Sequence, residues 1–324
     1  SESVAIGAFA LNSQNPATAT AMYNVAIGHN TGASITTGIV NTLVGGLAGD
    51  ALTTANQNTA VGYASLSQDV KGSFSTAIGS GALAAQNFTT ATNVYNTAVG
   101  YSAGNAVTTS TNNTLIGGLA GDALTSGSLN TAVGYAALSG DTLGVYNVAV
   151  GVNALLTQNF TTSTFSYNTA VGTDAGKSVT TGTANTLIGA LAGDAQTDAS
   201  NSTAVGYAAL GANTTGSNNT AIGKEALDAN TEGSENVAVG VGALGAQTTS
   251  TDNVAVGVNA GLSITTGIRN TILGRSAGDA LTDADFNVAI GYAALTSDTL
   301  GSKSVAVGRT ALSAQNFTTA TDAY

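Results

Sequence analysis

A five-residue unit of the form Asn/Ser–Thr/Val–Ala/Leu–Val/Ile–Gly recurs along this chain with almost no freedom in its spacing. Its glycine falls at Gly7, Gly28, Gly45, Gly62, Gly79, Gly100, Gly117, Gly134 and Gly151, and then nine more times from Gly172 to Gly308. Of the seventeen intervals, fourteen are 17 residues and three are 21. A repeat this strict means that each unit is one supersecondary element that buries its apolar face only by stacking on its neighbours.

The columns of the repeat carry fixed chemistry. Four residues before the glycine stands Asn in fourteen units, among them Asn24, Asn41, Asn58 and Asn96, and Ser in the other four. The residue before the glycine is Val or Ile, as at Val61, Val99 and Val133, apart from Leu273. Four residues after it, only Leu or Gly is found, in the recurring order Leu, Gly, Gly, Leu. A β-branched run closed by glycine reads as a strand and a bend, and no segment sustains a 3.6-residue period beyond one turn. The expected fold is therefore all-β: a parallel β-roll, or β-solenoid, of about eighteen 17–21-residue coils. Residues 1–324 form a single tandem-repeat array, expected to be a fragment of a longer fibre without caps. Each coil is predicted to hold two strands and two turns, with the Asn column bonded amide to amide along the axis. The glycines are expected where the backbone needs a positive φ or comes close to another chain.

Composition narrows the function. Only 8% of residues are charged and 5% aromatic, and 7 Lys and Arg against 18 Asp and Glu give a net charge of −11, so no nucleic-acid partner is expected. With no cysteine the chain has neither disulfides nor a thiolate site. No run of 18 apolar residues occurs, so this segment is expected to make no membrane contact. One coil buries little apolar area on its own, and both faces of the Asn-Thr-Ala-Val strand are apolar for a solvated strand. One face is expected to fill the coil and the other to meet identical chains, as a homotrimer closed about a common axis.

The pentads Ser3-Val4-Ala5-Ile6-Gly7 and Asn24-Val25-Ala26-Ile27-Gly28 resemble the head repeats of YadA-like trimeric autotransporter adhesins. Runs such as Asn130-Thr131-Ala132-Val133-Gly134 are also similar to repeats of phage tail fibres and bacterial surface fibres. The resemblance covers the whole chain and implies a left-handed, trimeric roll that binds cells or surfaces. It also implies an extracellular place on a bacterial outer membrane, anchored through regions outside this segment. The alternatives are a phage fibre on a virion and a purely structural extracellular filament. The coils here are longer than those usual in the family.

Chemical sites are weak. His29, the only histidine, occupies a slot held elsewhere by Tyr63, Tyr101 and Tyr207, with no catalytic partners unique to its coil. Gly172-Thr173-Asp174-Ala175-Gly176-Lys177-Ser178 imitates a phosphate loop but has one residue too few between its glycines. Asp50, Asp122, Asp194 and Asp279 follow an Ala-Gly pair and read as polar turns rather than cation ligands. Paired threonines such as Thr36-Thr37 and Thr108-Thr109 point to opposite faces of a strand, which disfavours ice binding. No enzyme activity and no cofactor are expected. The longer coils carry Asn87-Phe88-Thr89 and Asn159-Phe160-Thr161, and the motif returns at Asn316-Phe317-Thr318. Phe88, Phe160 and Phe317, with Tyr95, Tyr167 and Tyr324 nearby, are the candidates for contact with a host protein or glycan. The competing reading has these aromatics folding back to cover the roll.

Overall fold

Three residues of each pentad form a strand, and the strand of one coil pairs in parallel with the strand of the next in matched register. Thr59–Val61 lies on Thr76–Ile78 with Thr59 opposite Thr76, Ala60 opposite Ala77 and Val61 opposite Ile78. The computed structural model describes residues 2–16 and 20–323, and no α-helix occurs among them. It divides into two compact units, residues 1–166 and 167–324. Each is a parallel β-solenoid built on nine pentad strands: Val4–Ile6 to Val148–Val150 in the first, Thr169–Val171 to Val305–Val307 in the second. Tyr324 lies outside the described residues.

The middle residue of the strand faces inward. Ala60, Ala98 and Leu115 are wholly buried, and so is the Asn column. Val/Ile and Thr/Val on either side of that middle residue face out, as a period of two requires.

The Asn column works differently from the amide ladder expected from the sequence. Asn24 Oδ1 accepts from the backbone N–H of Asn41 at 2.9 Å, Asn41 Oδ1 from Asn58 N–H at 3.0 Å, and Asn58 Oδ1 from Ser75 N–H at 2.8 Å. Each Nδ2 donates to a turn carbonyl of the next coil, as from Asn41 to Ala55 at 2.9 Å and from Asn58 to Gly72 at 2.9 Å. The same relay runs through Asn219, Asn236, Asn253, Asn270 and Asn287 in the second unit. Amide-to-amide contacts accompany it at some steps only, such as Asn41 to Asn24 at 3.2 Å. Asparagine is selected because it supplies both an acceptor and a donor to buried backbone groups that would otherwise be unpaired.

The second apolar run of each coil is not a strand. Ala136 and Leu138, in the run after Gly134, have φ of 52° and 56°. Residues of positive φ alternate there with residues of negative φ, and the segment is turn. Leu138 N–H still reaches Ala154 O at 2.9 Å in the next coil, which offsets the steric cost of that conformation. Among the described residues, a second paired strand appears only beside the coils that carry Asn-Phe-Thr, for example Gly144–Val145 with Thr164–Phe165.

Two glycine columns have distinct causes. At Gly100, φ is +137° and an added Cβ would come within 2.5 Å of Gly117 O in the next coil. This close approach is to the next coil of the same chain. The Leu/Gly column is instead a matter of volume. Gly104 and Gly121 flank Leu115, and a Cβ on them would lie 2.7 and 2.8 Å from its methyls. Leu43 sits between Gly32 and Gly49 in the same way, and Gly193 and Gly278 make room for Leu187 and Ile272. Where neither a coil's own strand centre nor that of the following coil is Leu or Ile, the column is Leu, as at Leu83 and Leu138, both wholly buried. The order Leu, Gly, Gly, Leu is thus a jigsaw rule that keeps the core filled.

Candidate contact surfaces and the insert site

Each Asn-Phe-Thr motif is held by a buried aspartate in the coil before it. Asp69 Oδ1 accepts from the N–H groups of Gly72 at 3.1 Å and Phe88 at 3.0 Å, and its Oδ2 accepts from Gln86 Nε2 at 2.6 Å. Gln86 in turn donates to Ser75 Oγ at 3.0 Å and accepts from Asn96 Nδ2 at 3.0 Å, joining the clasp to the Asn relay. Asp141 with Gln158, and Asp298 with Gln315, repeat the arrangement at 2.7 Å each. Burial pushes the carboxyls of Asp69 and Asp141 above the ordinary carboxylate range, against the N–H donors that favour the ionised form. Gly72, Gly144 and Gly301 leave the room that each carboxylate fills. The sequence reading missed this clasp, although one regularity announces it: an Asp stands 17 residues ahead of each Gln that opens an Asn-Phe-Thr motif.

The clasp decides where the insert aromatics go. Phe88 and Phe160 are buried, at 8% and 6% exposure, and Phe317 is half-buried. They cover the roll instead of projecting from it. Tyr95 and Tyr167 are exposed, and Tyr95 stacks on Phe74 with ring centroids 5.2 Å apart. Tyr146 packs edge-on to Phe165 at 5.6 Å. The exposed aromatic surface therefore lies on the residue just before the Asn column, which is left-handed throughout (Tyr95 φ 56°, Tyr146 φ 65°) and so points its side chain away from the ladder.

A second surface runs along each unit. The outward strand residues Ile78, Ile116, Ile188 and Ile222 are each about two-fifths exposed, and Tyr63, Tyr101, Tyr135 and Tyr207 stand beside the bend glycines. His29 shares that exposed slot and touches Phe9 edge-on at 6.1 Å.

The remaining candidates resolve into repeat geometry. Gly172 and Gly176 occupy the bend and volume columns, and no helix follows them. The first threonine of each pair donates along the axis, as Thr108 Oγ1 to Thr125 O at 3.0 Å and Thr125 Oγ1 to Thr142 O at 3.1 Å. Asp50, Asp122 and Asp194 are half-buried, and burial raises their carboxyls; Asp279 accepts from Thr296 Oγ1 at 2.5 Å. Among the described residues, no group of three or more His, Cys, Asp or Glu is placed to hold a metal ion. Among the described residues, no helix is long and apolar enough to cross a membrane. No protein-family model matches the chain, and no curated protein is significantly similar to it.

Proposed function

We propose that this chain is a rod segment of a homotrimeric extracellular fibre that attaches cells to surfaces, without catalysis. The observation that carries the reading is the outward strand face. Ile116 and its counterparts one coil apart form a continuous apolar stripe bordered by tyrosines, on a chain with only 8% charged residues. A stripe of this kind leaves water when identical chains close around an axis, and cyclic symmetry stops growth at a finite number. Attachment then falls to the exposed aromatics before the Asn column, Tyr95 and Tyr167 among them, presented in many copies. Repeated weak contacts of a host protein or glycan with such a rod add through avidity. The resemblance of the pentads to adhesin heads supports an anchored place on a bacterial surface.

Light scattering tests the assembly: the mass in solution is expected to be three chains. Replacing Val99 and Ile116 with Glu is expected to yield a folded monomer. A wild-type chain that is a stable monomer overturns the proposal.

A further inference from the structure

The long coils carry a feature that the fibre reading does not use. Asn87-Phe88-Thr89, Asn159-Phe160-Thr161 and Asn316-Phe317-Thr318 each satisfy the Asn-x-Ser/Thr acceptor pattern for N-linked sugar. We infer that these three asparagines are glycosylation sites: the structure presents each Asn and its Thr side by side on an exposed insert, anchored by the Phe between them.

The placement follows from local geometry. None of Asn87, Phe88 and Thr89 has a positive φ, and the chain bends only at Thr89-Thr90. Side chains two apart on extended backbone share a side, so burial of Phe88 turns Asn87 and Thr89 outward together. Both are exposed, as are Asn159 with Thr161 and Asn316 with Thr318. The carboxamide oxygen of Asn159 accepts from Thr142 Oγ1 at 2.9 Å, and that of Asn316 from Thr299 Oγ1 at 3.4 Å. Those contacts engage the amide oxygen and not the reacting nitrogen, Nδ2.

Other matches to the pattern lack this presentation. Asn213 is buried. Asn112, Asn201 and Asn218 are exposed but left-handed, with φ of 60°, 56° and 60°, and the Thr of each lies in a pentad strand. Thr114 N–H, for instance, is held by Asn130 O at 2.9 Å. The corresponding slot of the first long coil reads Asn15-Pro16, and proline in the middle position disqualifies it.

In the reaction, Nδ2 bonds to the anomeric carbon of an activated sugar. The bond from that carbon to the phosphate oxygen breaks, the nucleotide or lipid diphosphate leaves with the electron pair, and an amide proton passes to the transferase. Two donor classes share this chemistry. A nucleotide-activated hexose adds one sugar at a time, whereas a lipid-linked donor delivers a finished oligosaccharide.

The test is intact-mass and peptide mass spectrometry of the protein from the cells that make it. Its reference is the same chain made in a host without a protein N-glycosyltransferase. Added mass is expected at Asn87, Asn159 and Asn316 and not at Asn112, Asn201, Asn213 or Asn218. A single hexose identifies the nucleotide donor and a uniform oligosaccharide the lipid donor. Thr89→Ala is expected to remove the increment from Asn87 alone, and Thr89→Ser to restore it. Unmodified insert asparagines, or modification confined to the strand sites, overturns the inference. The outcome is independent of the assembly state, since a folded monomer presents the same three inserts.

Discussion

Leu115 and Gly104 offer a direct measurement of whether the Leu/Gly column is set by volume. Leu115 is wholly buried at the centre of its strand, and an added methyl at Gly104 would sit 2.7 Å from Leu115 Cδ1. Leu115→Ala removes about three methylene equivalents at roughly 0.8 kcal/mol each and leaves a cavity, so a loss of about 2–5 kcal/mol is expected. Gly104→Ala alone is expected to cost about 1–3 kcal/mol in overpacking. It also carries roughly 1–2 kcal/mol for placing a Cβ at a left-handed position; φ is +59° there. In the double variant the overlap with Leu115 is gone. The nearest remaining atom is a methyl of Leu83 at 3.0 Å, which a small rotation relieves. The double variant should then be more stable than the sum of the single losses by at least about 1 kcal/mol, the signature of two residues that share one space. Urea unfolding followed by far-ultraviolet circular dichroism on the four proteins gives the coupling. Additivity within about 0.5 kcal/mol refutes the volume rule.

Two further outcomes follow from the buried polar groups. Gln196 is wholly buried and neither amide atom is hydrogen-bonded, whereas the same slot in its sister coils holds Leu52, Leu124 or Val179. Gln196→Leu is therefore expected to raise the thermal midpoint, by the equivalent of about 1–3 kcal/mol for removing an unpaired buried group; an unchanged or lower midpoint rejects this. Acidification is expected to stabilise the fold. Burial raises the carboxyls of Asp50, Asp69, Asp122, Asp141, Asp194 and Asp228 above 3.8 in the folded chain, so the folded state holds more protons than the unfolded one between 3.8 and the raised values. Stability then increases as pH falls through that window, with no further gain from these groups below it. Thermal melts from neutral pH towards 4 check the sign, and a midpoint that falls steadily over that range is the contrary result.

Much of the architecture was legible because the repeat has a single physical meaning. Chemically matched residues at a fixed spacing allow parallel strands to stack in register, and the pairing of Ala60 with Ala77 and Val61 with Ile78 realises that reading. That the Thr/Val and Val/Ile columns share a face was legible from the period of two; that this face is the outward one was decided by the structure. Less legible was what each column does. The Asn column looked like a ladder of amides, but a side chain that reaches the next backbone N–H serves two buried groups at once. The second apolar run looked like a strand, and alternating left-handed residues such as Ala136 and Leu138 make it turn. Positive φ at residues other than glycine leaves little trace in composition.

The sequence by itself determined the parallel β-solenoid, because the spacing of Gly, Asn and Val leaves one way to align like with like. Only the tertiary structure decided which groups meet across coils. That Asp69 in one coil clasps Gln86 and Phe88 in the next, and draws the phenylalanine under the insert, depends on side chains 17 and 19 residues apart. Stacking brings them within hydrogen-bond reach, and burial makes an unpaired alternative costly. The same contact turns Asn87 and Thr89 outward.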